Sequence, residues 1–167
     1  MAKLEWRNFN VYSDELQKLE HSASFIAEKV LYEMAGYLYR EIRRRLTAMP
    51  TITDNMGKGR FKQNKQLEHL TTLQKEGLLD SLGIAPFRDE INNINTRIGF
   101  DGYNQVKTNK YPNGQPNVLI ARSLEVGTSY LPKHPFIKPA VAAAKSQLDR
   151  IATTTCDREI AKLTKRG

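Results

Sequence analysis

Cysteine occurs once, at Cys156, in 167 residues, so no internal disulfide can staple this chain, and a reducing compartment suits it. Long apolar runs are missing too. No stretch approaches the roughly 18 uncharged residues of a membrane span, and Met1–Asn10 has no hydrophobic run of the signal-peptide kind. Histidine is scarce: His21, His69 and His134 stand in unrelated contexts, with no His-Glu-x-x-His pair and no cysteine partner, which argues against zinc. Gly57-Lys58-Gly59-Arg60 lacks the Gly-Lys-Ser/Thr ending of a phosphate-binding loop. Cys156 falls on the apolar side of the last predicted helix, where a buried small hydrophobe is a better reading than a nucleophile. These absences predict a soluble protein made in a cytoplasm, with no membrane partner, no metal, no cofactor and no enzymatic reaction. The length suits a single domain, 1–167, with a core of its own.

What is present is positive charge. The formal net charge is +8, which attracts polyanions without saying whether the protein uses them. The excess is concentrated. Between Arg40 and Lys75 nine Lys or Arg residues face three acids, Glu41, Asp54 and Glu68. Arg43, Arg44, Arg45, Lys58, Arg60, Lys62 and Lys65 could form a footprint for DNA phosphates, with Phe61 available to stack. They could equally be a solvated helix end and a charged, soluble tether. No recognition-helix motif or aromatic platform accompanies them, so base-specific reading is not expected.

Periodicity supplies the architecture. Residues 4–12 are aromatic and β-branched and read as a short strand or extended arm. Ser13-Asp14-Glu15 reads as a helix start. Leu16, Leu19, Ala23, Ile26, Val30, Met34, Leu38, Ile42 and Leu46 then keep one face apolar to about Met49, with a break possible near His21-Ser22. Phe25, Tyr32 and Tyr39 lie off that stripe, either widening the buried face or forming a second packing surface. Pro50 stops the helix, and residues 50–66 read as a flexible basic loop. Leu67–Leu82 regains helical spacing, weakened or divided at Gly77, and Pro86 ends it. Alternation from Ile94 to Phe100 predicts a strand, 101–117 a long hairpin loop, and Asn117–Val126 the second strand. Pro132 and Pro135 hold an extended arm, Pro139 suits the first position of a helix, and Val141, Ala144, Leu148, Ile151, Cys156, Ile160 and Leu163 mark a final helix of about 25 residues. The expected fold is α+β: a small antiparallel sheet packed by a long N-terminal and a long C-terminal helix, with a long basic loop after the first.

Glu125-Val126-Gly127-Thr128, followed by Pro135-Phe136-Ile137-Lys138-Pro139-Ala140 and an amphipathic helix, resembles the C-terminal signature of the gene-product-ten-like family of tailed-phage neck or tail-completion proteins. The upstream layout is similar too, including the short Leu78-Leu79-Asp80-Ser81 helix, although only about 118–150 carries a specific motif. The resemblance implies a non-enzymatic structural virion protein at the head–tail interface, assembled in the host cytoplasm as a ring, commonly six-fold. Its implied partners are copies of itself and adjacent neck, tail-terminator or tail-tube proteins, with non-specific DNA in the channel. A tail terminator of the same assembly is the neighbouring alternative, and a basic non-specific nucleic-acid-binding protein the alternative from another class. Candidate interface residues are Glu125, Gly127, Thr128, Pro135, Phe136, Ile137 and Pro139. Phe136 and Ile137 either meet a neighbouring subunit or pack beneath their own sheet, and Glu125 either pairs with a neighbour's arginine or accepts the N–H groups of its own turn.

Overall fold

The structure, a computed structural model, describes residues 9–63, 65–90 and 93–164; the side chains of 9–16, 18–21, 61, 89, 90 and 93 lie outside that description. The fold is α+β. Two long helices, α1 (Phe9–Ala48) and α5 (Ile137–Thr164), pack together. At ~1.5 Å per residue the 40 residues of α1 extend about 60 Å, without a break at His21-Ser22. Phe9–Tyr12 are already helical, so the expected strand is not formed there and Ser13 does not open the helix; residues 4–8 lie outside the described set. No proline or glycine separates Tyr12 from the periodic run, and nothing stops the helix from propagating back.

The α1–α5 seam is antiparallel: Ile42 and Leu46 join Phe136 and Ala140 in the core, while Lys29 and Glu33 meet Thr155, Arg158 and Glu159. Ala35, Ala140 and Ala144 are buried along these helices, where small side chains let the backbones approach. The buried face of α5 is turned from the predicted stripe. Thr155 and Glu159 are buried, whereas Val141 and Ile160 are exposed and Cys156 is half-buried. Thr155 donates to Glu33 at 2.6 Å and Glu159 accepts from Lys29 at 2.9 Å, so the turn is set by polar pairing across the seam.

The segment after α1 is more ordered than its composition predicts. Thr51–Ile52 (β1) runs parallel to Leu70–Thr71 (β2), and Asp54–Lys62 forms a helix (α2) inside the expected flexible loop. The Thr53 hydroxyl accepts from the Met56 N–H at 3.4 Å. Asp54, at the first position of α2, accepts from the Leu73 N–H at 3.1 Å, tying α2 to the next helix. Helix α3 (Thr72–Ser81) is opened by a reciprocal cap in which Thr71 and Gln74 satisfy each other's backbone N–H. It begins five residues later than Leu67 and is undivided at Gly77. Lys75 crosses from α3 to donate to the carbonyls of Thr47 and Met49, both at 2.7 Å, placing a cation at the negative end of α1.

Two antiparallel ladders follow, β3 (Leu82–Ile84) with β6 (Ile98–Phe100) and β4 (Arg88–Glu90) with β5 (Asn93–Asn95). They are the two ends of one hairpin. Ile84 faces Ile98, but Arg88 faces Asn95, so one extra residue sits on the side that holds Pro86, a bulge where a missing N–H does no harm. The strand read at 94–100 therefore pairs with 82–90; the ends of 101–117 do close on each other through an antiparallel bridge between Tyr103 and Pro116, but the loop leads from β6 into a helix and not into a second strand. That helix is α4 (Asn117–Val126), in place of the expected second strand. Asn117, Ile120, Ala121 and Leu124 are its buried residues, at helical steps of three, one and three. The β-branched Val118 and Ile120 favour extended backbone locally, but only a helix turns all four toward α3 and the core. Among the described residues no helix is long and apolar enough to cross a membrane.

Candidate interface site

Residues 124–140 form one interlocked unit between α4 and α5. Gly127 ends α4 at φ 80°, where its N–H reaches the Ser123 carbonyl at 2.8 Å. A Cβ at Gly127 would lie 3.2 Å from both Cβ and N of Lys133, so the position requires glycine for its backbone sign and for space. The Thr128 hydroxyl accepts from the N–H groups of Tyr130 and Leu131 at 3.3 and 3.1 Å, closing a tight turn. His134 N–H returns to the Leu124 carbonyl at 2.8 Å. Glu125 then reaches forward: its Oε1 accepts from Phe136 N–H at 2.8 Å and from Ile137 N–H, capping the start of α5. The N–H groups it accepts from belong to the start of α5, and not to its own turn as one of the two sequence readings had it. Its other oxygen is buried without a partner among the described residues.

Phe136 is 1% exposed and meets Phe100 edge-on at 5.9 Å between centroids. It packs inward, as the second of its two readings had it, and Ile137 is half-buried against the same core. Pro139 is the third residue of α5, not the first, still within the turn whose N–H groups have no helical acceptor. Of the seven candidate interface residues, Thr128 and Pro135 are the exposed ones. The conformation of the arm is thus set by what it joins inside the chain.

The structure divides the seven candidate cations. Arg43 donates to the Leu79 carbonyl at 2.7 Å, bracing α1 against α3. Arg44 and Arg45 line a cavity of about 440 Å³ with His69 and His134 over a floor of Leu70, Leu124 and Phe136. Arg60 and Lys65 line a second cavity, of about 560 Å³, that shares His69 and His134. The result is one trough with a cationic rim, in which the two imidazoles lie 5.6 Å apart. Sequence separation of 65 positions hid that pair. Its charge is partly answered: Glu41 accepts from Arg44 at 2.6 and 3.0 Å and from Arg45 at 3.1 Å, and Glu68 accepts from Arg60 at 2.7 Å. The Arg44 hydrogen bond, chiefly, holds the Glu41 carboxyl below its ordinary range. Lys58, Lys62 and Lys65 are exposed and make no side-chain pair among the described residues; Phe61 lies outside the described side chains. Phe25 and Tyr32 are 56% and 63% exposed, so the first of these aromatics do not widen the buried face, whereas Tyr39 packs on the core.

A different surface escaped the sequence reading altogether. Glu76 and Asp80 on α3, with Asp101 and Tyr103 from the turn after β6, line a cavity of about 310 Å³ whose walls, among the described residues, carry no Lys, Arg or His. The i,i+4 spacing of the first two was visible; their meeting with Asp101 was not. Among the described residues no group of three or more His, Cys, Asp or Glu is placed to hold a metal ion. Compared with protein-family models, curated proteins and solved structures, the chain matches none of them.

Proposed function

We propose that this protein is a structural component of a tailed-phage virion, acting at the head–tail neck as a tail-completion or head–tail joining protein that assembles as a ring of identical subunits. The observation that carries the reading is the unit at 124–140. The residues on which the family resemblance rests, Glu125, Gly127, Thr128, Phe136 and Pro139, each serve helix capping, turn geometry or packing. A signature of that kind preserves a shape, and shape is what a subunit of a ring must reproduce. The surface supplies chemically different patches, a cationic trough and an acidic cavity, as head-to-tail contacts between identical subunits require.

Light scattering across a concentration series, with electron microscopy of the largest species and of purified virions, tests the reading. Rings, or the protein located at the neck, support it; a protein that stays monomeric and is absent from virions refutes it. A second reading, non-specific DNA contact, is favoured by the convergence of Arg44, Arg45, Arg60 and Lys65 on one trough. With about three to four phosphates engaged, log affinity for duplex DNA would fall with log salt at a slope near −3. A slope near zero removes it.

A further inference from the structure

From the acidic cavity we infer that it receives Lys58 and Lys62 of a second copy of this chain. The cavity inverts the local charge of a protein whose formal net charge is +8, since its lining among the described residues includes Glu76, Asp80 and Asp101 and no basic residue. Among the described residues none of these three carboxylates has a hydrogen bond or ion pair, unlike Glu33, Glu41, Glu68 and Glu159.

A buried, unanswered acceptor lies beside them. Asn117 is 2% exposed and lines the cavity, and its Oδ1 has no partner among the described residues. Its orientation is fixed, because Nδ2 donates to the Asp101 carbonyl at 2.9 Å, so turning the amide over would sacrifice that bond. Asn104, 4% exposed, is fixed in the same way by the Val106 N–H on its Oδ1 at 2.8 Å and leaves Nδ2 unpaired. Buried polar atoms without partners are uncommon, and two in one cavity point to a missing occupant. An incoming lysine helix brings ammonium donors for the carboxylates and Oδ1, and a free carbonyl of its last turn for Asn104. The exposed ring of Tyr103, at 67%, offers a face to the same cation.

Complementary spacing selects the occupant. Glu76 and Asp80 are four apart on α3, and Lys58 and Lys62 are four apart on α2, exposed and unpaired among the described residues. Side chains at that separation are helical neighbours about 5–6 Å apart, so two positive groups match two negative ones in register. A basic patch on one subunit and an acidic cavity on the next form a heterologous contact, which propagates into a ring when its rotation closes. The identity of the second copy rests on the ring assembly proposed above; the preference of the cavity for a basic segment does not.

The test uses the full chain as receptor and a peptide of residues 54–66 as probe, followed by the side-chain amide resonances of Asn104 and Asn117. Saturable shifts of those resonances are expected, weakened about ten-fold or more by Glu76→Gln with Asp80→Asn in the receptor, and by Lys58→Glu with Lys62→Glu in the peptide. Absence of saturation, shifts confined to other residues, or indifference to these substitutions overturns the inference and leaves a bridging water as the occupant. In the full protein, Glu76→Lys with Asp80→Lys should abolish assembly, and adding Lys58→Glu with Lys62→Glu should restore it. Rings that form equally well from the charge-reversed protein overturn the contact and leave the neck proposal standing. A wild-type protein that binds the peptide yet never assembles refutes the neck proposal, while the cavity keeps its basic ligand.

Discussion

Glycine-to-alanine substitutions at two helical positions should change stability in opposite directions. Alanine stabilises a helix interior by about 0.8–1.0 kcal/mol over glycine, because glycine loses more backbone freedom on folding. At Gly36 in α1 a new Cβ would meet only the Arg40 Nη1, at 3.6 Å, an ordinary contact with the end of a flexible side chain. Gly36→Ala should therefore retain the whole effect and raise Tm by about 2–4 °C for a domain of this size. At Gly77 in α3 the Cβ would lie 2.6 Å from Asn104 Cβ, 3.3 Å from Asn104 Cα and 3.1 Å from Asn117 Oδ1. Carbon atoms pack at about 3.5–4.0 Å, so roughly 1 Å of movement is demanded. Asn104 cannot easily retreat, since its N–H donates to the Gln115 carbonyl at 3.0 Å and its Oδ1 holds the Val106 N–H at 2.8 Å. Overpacking of this kind costs about 1–3 kcal/mol, which offsets the helix term and leaves Gly77→Ala destabilised by up to about 2 kcal/mol. Urea unfolding, comparing midpoints at unchanged slope, separates the two. If Gly77→Ala is as stabilising as Gly36→Ala, the loop 101–117 does not seat on α3 as described.

Three further perturbations address the motif unit and the seam. Phe136→Ala should cost about 3–5 kcal/mol, a large share of the roughly 5–15 kcal/mol of a typical domain; a loss below about 1 kcal/mol in urea unfolding would mean that the ring packs elsewhere. Glu125→Ala removes the acceptor for two N–H groups at the start of α5 and should cost about 0.5–2 kcal/mol, with Glu125→Gln milder because an oxygen remains; equal stability of all three proteins contradicts the cap. Glu159 is held at about 2 against an ordinary 4.5, chiefly by hydrogen bonds from Lys162 and Lys29, and Glu33 is lowered by its bond from Thr155 and then by Arg158. Folding thus favours their ionised forms, a contribution complete above pH 4.5 and lost as pH falls toward 2. Thermal melts should show Tm falling across that window, less steeply in Glu159→Gln; identical profiles would refute the assigned partners.

The two long helices were legible because their signal is local and repeated: one apolar face over many turns of α1, and a second amphipathic run closing the chain. Charge concentration, the stop at Pro50 and the breaks at Gly127 and the following prolines were equally readable, since each acts on its own backbone. What misled was any segment whose local preference competes with its surroundings. Val118-Leu119-Ile120 favours a strand by side-chain type, yet Asn117, Ile120, Ala121 and Leu124 are buried together only if the segment is a helix, and α3 with the core provides the reward. The partner of the 94–100 strand is hidden because the helix read over Leu67–Leu82 takes its first residue, and Pro86 interrupts the remainder. His69 beside His134, Glu76 and Asp80 beside Asp101, and Glu125 beneath the start of α5 depend on chain segments separated by many residues. From the sequence alone came the two long helices, the apolar face of the first and the sign of the charge, which follow from spacing within a single segment. Only the tertiary structure decided which way Phe136 turned, which cations were already paired and where an unpaired acidic cavity formed, because burial and pairing are relations between segments and no single segment contains them.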